Sequence, residues 1–278
     1  MGFDGLNGLH CPHCGPPVEK PPTANVGLAF LVWAGSVAAL FLFQFAALLI
    51  YIAIRMAIFR ESPGLQLTPG LALVSLAGTF VAHLVTLAGC WWVVTSGGVR
   101  PFLETLGWRW HHQFKWVHAV ALAFVMLALG FAFERTLPNG ETDFEKLLQL
   151  SSSVRVAIAI LAVLSAPFVE EIVYRGVLYS AVAQARGWKF AVGLVTILFA
   201  LVHAPQYWGS PAAIAAIISL SLVLTLVRAV TGQLLPCIAT HLIFNGVQAV
   251  TLLIAPPSRT EPTPAVIVMF LRAIGLDL

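Results

Sequence analysis

Polar positions along this chain interrupt long apolar stretches rather than alternating with them. Pro21 to Ile54 contains no charged residue. Because about 20 apolar residues of helix cross a bilayer, a first membrane helix is predicted at roughly Val26–Ala53. Ser62 to Val99 holds a second, framed by the breakers "SPG" and "SGG" and closing near Trp91–Trp92, a pair suited to a membrane interface. Trp116–Phe133 reads as a third. The stretch "ERTLPNGETDFEKLLQLSSS" then breaks the pattern with four acids, two bases and a Pro-Asn-Gly turn signal. It reads as an aqueous or interfacial loop with an amphipathic piece at Phe144–Leu150. Beyond it come Val154 to about Gln184, Phe190–His203, Pro211–Val227 and Leu235–Ala255, with a weak last segment at Pro264–Ile274. The pattern predicts an all-α, polytopic membrane protein of seven to eight transmembrane helices. It divides into a polar tail (1–25), an N-terminal three-helix membrane region (26–135), a loop (136–153) and a C-terminal membrane region (154–278).

Composition agrees with this picture. Of 278 residues, 59% are hydrophobic and only 10% charged, against about 25% charged in soluble domains. The net charge of +3 is scattered, and no basic run interleaves with aromatics, so nucleic acid is not an expected partner. Lys and Arg fall seven to each side of the predicted helices, with Arg175 inside one, so the positive-inside rule sets no orientation. The Cys-Pro-His-Cys tail is best kept reduced, which places the N-terminus in the cytoplasm.

Ionisable side chains inside apolar helices are rare and mark functional sites by default. The C-terminal half carries Glu170, Glu171, Arg175, His203, His241 and Asn245. Glu171 and Arg175 are one turn apart and share a face, so they read as a structural pair. Glu170 lies about 100° round the helix from Glu171, with no cation near it in sequence, and is left free for chemistry. Pro167 fits a helix start or a kink just upstream. In "FALVH", Phe199 and His203 are one turn apart; in "HLIFN", His241 and Asn245 are. Glu170 with His203 suffices to orient and deprotonate a water. His241 with Asn245 presents two donors on one face, as an oxyanion requires. The parts describe water attack on an amide carbonyl. His83, in the second span, reads as a satisfied core histidine, and His111, His112 and His118 as loop or interfacial residues.

The motifs "EEIVYRG", "FALVH" and "HLIFN" resemble EExxxR, FxxxH and HxxxN of the CAAX protease and bacteriocin-processing (Abi) family, the type II CAAX prenyl endopeptidases. The resemblance spans roughly Val154–Ala255, and no motif position departs from the pattern. It implies an intramembrane glutamic endopeptidase in which Glu170, assisted by His203, activates water. His241 and Asn245 then bind the oxyanion, and Glu171, Arg175 and Phe199 support the site. The implied partners are the bilayer and a membrane-anchored protein or peptide, prenylated in the eukaryotic members. The implied location is a prokaryotic plasma membrane. No cofactor is implied for catalysis.

Two other readings of the same residues exist. His203, His241 and Glu170 are a His₂Glu set that could hold zinc, although this would leave Asn245 without a role and the chain lacks H-E-x-x-H. A non-enzymatic immunity, scaffold or transport protein could also use a buried glutamate, although the paired broken helices of transporters are not evident. Separately, "LHCPHCG" in the tail resembles one knuckle of a zinc ribbon, with Cys11 and Cys14 as ligands of a structural zinc. His10 and His13 are the extra ligands at hand but lie too close in sequence for a relaxed four-ligand site, so zinc would need a second copy or a partner. The other reading is a degenerate remnant, and the Pro-rich "GPPVEKPPT" after it reads as a stiff linker.

Overall fold

The computed structural model describes residues 24–60 and 67–254. Cys11 and Cys14 of the tail, and the segment Pro264–Ile274, lie outside the described residues.

Helices account for the fold. In chain order they are α1 (Val26–Ile58), α2 (Pro69–Val94), the short α3 (Phe102–Leu106), α4 (Trp116–Thr136) and α5 (Asp143–Gln149). Then follow α6 (Ser152–Leu164), α7 (Ala166–Glu170), a π-helical segment (Glu171–Leu178) and α8 (Tyr179–Arg186). The chain continues through α9 (Trp188–His203), a 3₁₀ turn (Ala204–Tyr207), α10 (Pro211–Thr231) and α11 (Leu235–Ile254). Among the described residues, seven helical stretches are long and apolar enough to cross a membrane, with Ser152–Arg186 acting as one interrupted span. The protein is an all-α polytopic membrane protein.

Local chemistry sets the helix starts. Asn25 Oδ1 accepts from Leu28 N at 2.7 Å, and Thr68 Oγ1 accepts from Leu71 N before Pro69 at the first turn of α2. Ser151 and Ser210 cap α6 and α10 in the same way. Thr142 and Glu145 form a reciprocal capping box that starts the amphipathic α5, satisfying backbone donors a helix start leaves open. α5 covers most of the predicted amphipathic piece. The second span is shorter than the breakers imply, because Thr95 Oγ1 bonds back to Trp91 O and a turn with Ser96, Gly97 and Gly98 at positive φ follows.

α1 and α2 pack along their length, and α2, the π-helical segment, α8 and α9 share the largest core, while α6 packs its Val154 and Ile158 in a smaller cluster with Ala72 and Leu148. The core holds Cys90, Val94, Leu106, Tyr174, Val177, Leu178, Val195, Phe199 and Leu234. Outward-facing Leu31, Phe41, Leu42, Trp92, Phe190 and Val230 are exposed, the surface that lipid covers in a chain of this kind. The loop before α6 is fixed to the α9–α10 connection. Gly140 N donates to Gly209 O, Ser210 Oγ donates to Asn139 Oδ1 at 2.6 Å, and Phe144 meets Tyr207 with ring centroids 5.4 Å apart.

α1 and α2 approach closely at Gly78, where a Cβ would stand 2.7 Å from the backbone oxygen of Phe43 and 3.1 Å from Ala47 Cβ. Small residues at such crossings are how membrane helices gain close contact. Gly78→Ala is therefore expected to destabilise the protein by about 1–3 kcal/mol through overpacking. Gly89→Ala, with no atom within 4 Å of the added carbon, should be neutral. Thermal unfolding of both variants in one detergent checks the contrast.

Candidate active site

The span that carries Glu170, Glu171 and Arg175 does not form one regular helix. α6 stops at Leu164, and Ser165 adopts φ −125°, ψ −47°, outside the helical range. Pro167, which lacks a backbone N–H, then enters the short α7. From Glu171 the backbone winds as a π-helix through Leu178, a form rare enough that its occurrences gather at functional sites. Every residue of that π-helical segment is buried. Of the two readings of Pro167, a helix start or a kink, the structure shows the start, with Pro167 in the first turn of α7, while the π winding has no signature in the sequence.

Arg175 is the centre of the arrangement, and it is fully buried with Glu171. Its Nη1 donates to Glu171 Oε1 at 2.9 Å, its Nη2 to Ser221 Oγ at 2.9 Å and Ser221 O at 3.0 Å, and its Nε to Thr225 Oγ1 at 3.2 Å. The guanidinium also lies 4.9 Å from the Phe199 ring centroid. A charge in this setting persists only if paired and hydrogen-bonded, and α10 supplies what the pair alone does not. Ser221 and Thr225 were not among the residues singled out from the sequence. Their signal was a polar stripe through Ser221, Thr225 and Arg228 at helical spacing in an otherwise apolar span. Arg228 belongs to the same interior, with its Nη1 donating to Gly232 O and its Nη2 to Ser180 Oγ.

Glu171 has a second partner. His241 Nδ1 lies 2.8 Å from the same Oε1 that receives Arg175. Oε2 of Glu171 is buried without a hydrogen-bond partner among the described residues. On α9, His203 Nδ1 lies 2.8 Å from Phe199 O. A carbonyl accepts only, and so does an ionised carboxylate, so both rings carry their proton on Nδ1 when Glu171 is ionised and turn Nε2 elsewhere. Both Nε2 atoms face Glu170: His203 at 3.8 Å from Oε1 and His241 at 3.9 Å from Oε2. These separations exceed a direct hydrogen bond. Phe199 stacks on His203, with centroids 4.4 Å apart and planes at 23°, and meets Tyr174 edge-on. It thereby holds the imidazole plane.

Glu170, His203 and His241 thus come together from three different helices, with Glu171, Arg175 and Phe199 packed behind them. Asn245 stands differently. Its Nδ2 donates to Ala162 O at 2.8 Å, near the end of α6, which commits one of its two N–H groups. Access is graded across the two glutamates: side-chain exposure is 20% at Glu170 and 21% at His203, but 0% at Glu171. Among the described residues, no three His, Cys, Asp or Glu side chains are placed to close on a metal ion.

His83 is the satisfied core histidine that the sequence predicts, and its partner lies on the interrupted span. It is buried on α2, its Nδ1 lies 2.9 Å from Ser165 Oγ, and it stands within electrostatic range of Glu170. Ser165 Oγ donates onward to Leu161 O at 3.2 Å, so the histidine is the donor to the serine.

A family model described as type II CAAX prenyl endopeptidase Rce1-like matches residues 152–247. The match starts at the first residue of α6, ends within α11, and contains every motif residue above; α1–α5 lie outside it. No curated protein and no solved structure matches the chain. Residues 152–247 are thus similar to the Rce1-like type II CAAX prenyl endopeptidases, and they are set within a multi-pass membrane protein.

Proposed function

We propose that the protein is an intramembrane endopeptidase that hydrolyses a peptide bond of a membrane-associated substrate, with Glu170 as the group that activates water. The observation that carries this reading is the convergence of two Nε2 atoms on Glu170 from α9 and α11, beside a second glutamate already committed to Arg175. A water held between Glu170 and His203 gives one proton to the carboxylate as its oxygen attacks the amide carbon. Protonated Glu170 then returns that proton to the departing amine nitrogen as the C–N bond breaks. General acid–base help of this kind is worth about 10²–10⁴ in rate.

The developing oxyanion falls to His241 and Asn245. Asn245 has one N–H left after its bond to Ala162 O. His241, with Nδ1 turned to Glu171, has an Nε2–H to offer only as the imidazolium. A C-terminal prenylated peptide is the substrate class that the family name supports. A buried site also suits a substrate whose anchor keeps it at the membrane, since binding then needs no transfer from water.

The two glutamates separate under substitution. Glu170→Gln should lower kcat/KM on a farnesylated C-terminal peptide in proteoliposomes by about 10²–10⁴-fold, with the melting temperature kept. Arg175→Met should abolish activity by another route, costing about 3–5 kcal/mol because Glu171 is left buried and uncompensated; loss of the folded protein in a thermal scan checks it. Proteolysis that survives Glu170→Gln would falsify the assignment. Prolonged dialysis against a strong chelator should leave the rate unchanged. Loss of activity that zinc restores would instead favour a His203–His241–Glu170 metal site.

A further inference from the structure

We propose that His83 is a positioning residue for Glu170, acting through Ser165, so that α2, which lies outside the family-matched segment, sets the geometry of the site. The inference rests on the reading of Glu170 as the group that activates water. Ser165 is where the helix carrying Glu170 begins anew: it leaves the helical range, and its carbonyl accepts from Val169 N at 3.1 Å to start the turn that ends at Glu170. A break of this kind leaves the local backbone loosely determined unless side chains fix it. Ser165 Oγ is held from both sides, accepting from His83 Nδ1 and donating to Leu161 O. Asn245 ties down the next carbonyl, Ala162 O, from α11. The break is therefore clamped by α2 on one side and α11 on the other.

α2 is suited to the task. Its buried positions His83, Thr86, Cys90 and Val94 recur at three- and four-residue spacing, a stripe that faces inward. Its depth against α1 is fixed by backbone contact at Gly78, little more than one turn before His83. A reference point held by backbone contact is stiffer than one held by side chains alone. His83 therefore gives the turn that carries Glu170 a fixed anchor independent of the two histidines that face its carboxylate.

The test uses the reactivity of the Glu170 carboxyl itself, which needs no known substrate. The intact protein in lipid nanodiscs is treated with dicyclohexylcarbodiimide at one pH, and labelling of Glu170 is followed by peptide mass spectrometry, with Glu134 as an internal reference. His83→Ala and Ser165→Ala should each raise the Glu170 rate relative to Glu134 by about fivefold, the population change that loss of one net buried hydrogen bond permits. The double variant should add little beyond either single one, because both remove the same bond. His83→Asn, whose amide N–H can stand where Nδ1–H stands, should return the rate to that of the unaltered protein. Equal labelling in all variants, or a rise in His83→Ala that His83→Asn fails to reverse, overturns the proposal. Because labelling does not depend on turnover, it is decided separately from the proteolysis of Glu170→Gln, which tests the underlying reading.

Discussion

The buried guanidinium of Arg175 is the constraint on which the rest of the site depends. Moving a charge of this size out of water costs several kcal/mol even after relaxation, and a membrane helix has no solvent to soften that cost. The chain meets it with donors and acceptors from three directions: Glu171 on the same segment, Ser221 and Thr225 on α10, and the Phe199 ring on α9. Once those partners are in place, α10 and the π-helical segment cannot slide or rotate against each other without stranding a charge. Glu171 carries the constraint one step further by holding His241 on α11. One ion pair thereby fixes the relative positions of the elements from which the site is assembled.

This explains the unequal treatment of two adjacent carboxylates. Glu171 points inward, receives two donors on one oxygen and is sealed from solvent. Glu170 closes the preceding turn and keeps partial access, with no cation bonded to it directly. A group that must receive a proton from water and return it to a leaving group needs such access. A group that must hold a positive charge in a low-dielectric interior needs the reverse. The π winding that begins at Glu171 separates the two surroundings within a single residue step, because the wider turn carries Glu171 and Arg175 into the interior while α7 ends at Glu170.

How much of this was legible in the sequence varies with the physics involved. The spans were legible because a charge-free apolar run of sufficient length has few alternatives. Glu171 with Arg175 was legible because an i,i+4 pair survives even the change from α to π geometry. The convergence of Glu170, His203 and His241 was expected because scarce polar residues on separate apolar helices have few other reasons to exist, and because the three motifs together resemble those of one family. Ser221 and Thr225 were harder, since hydroxyls in a membrane helix ordinarily satisfy themselves on the preceding turn, and Thr225 does bond Ser221 O at 2.7 Å while also serving Arg175. The bond from Asn245 to Ala162 O was not legible, because it answers a break in α6 that only the folded chain reveals. His83 was set aside for the same reason, its partner being a serine distant in sequence.

The Rce1-like segment contains the residues of the proposed chemistry but not all of their surroundings. Trp33 on α1 donates from Nε1 to the Tyr174 hydroxyl at 3.3 Å, and His83 on α2 meets Ser165. Both contacts reach the interrupted span from outside the matched residues, one on each side of the two glutamates. A π-helix and a helix break are both forms that a free chain would exchange for a regular α-helix, since each gives up favourable backbone hydrogen bonding. They persist because neighbours hold them. α1 and α2 are therefore more than a membrane anchor for the C-terminal half. They belong to the packing that keeps Glu170 and Glu171 in different environments, and that difference is what the proposed chemistry requires.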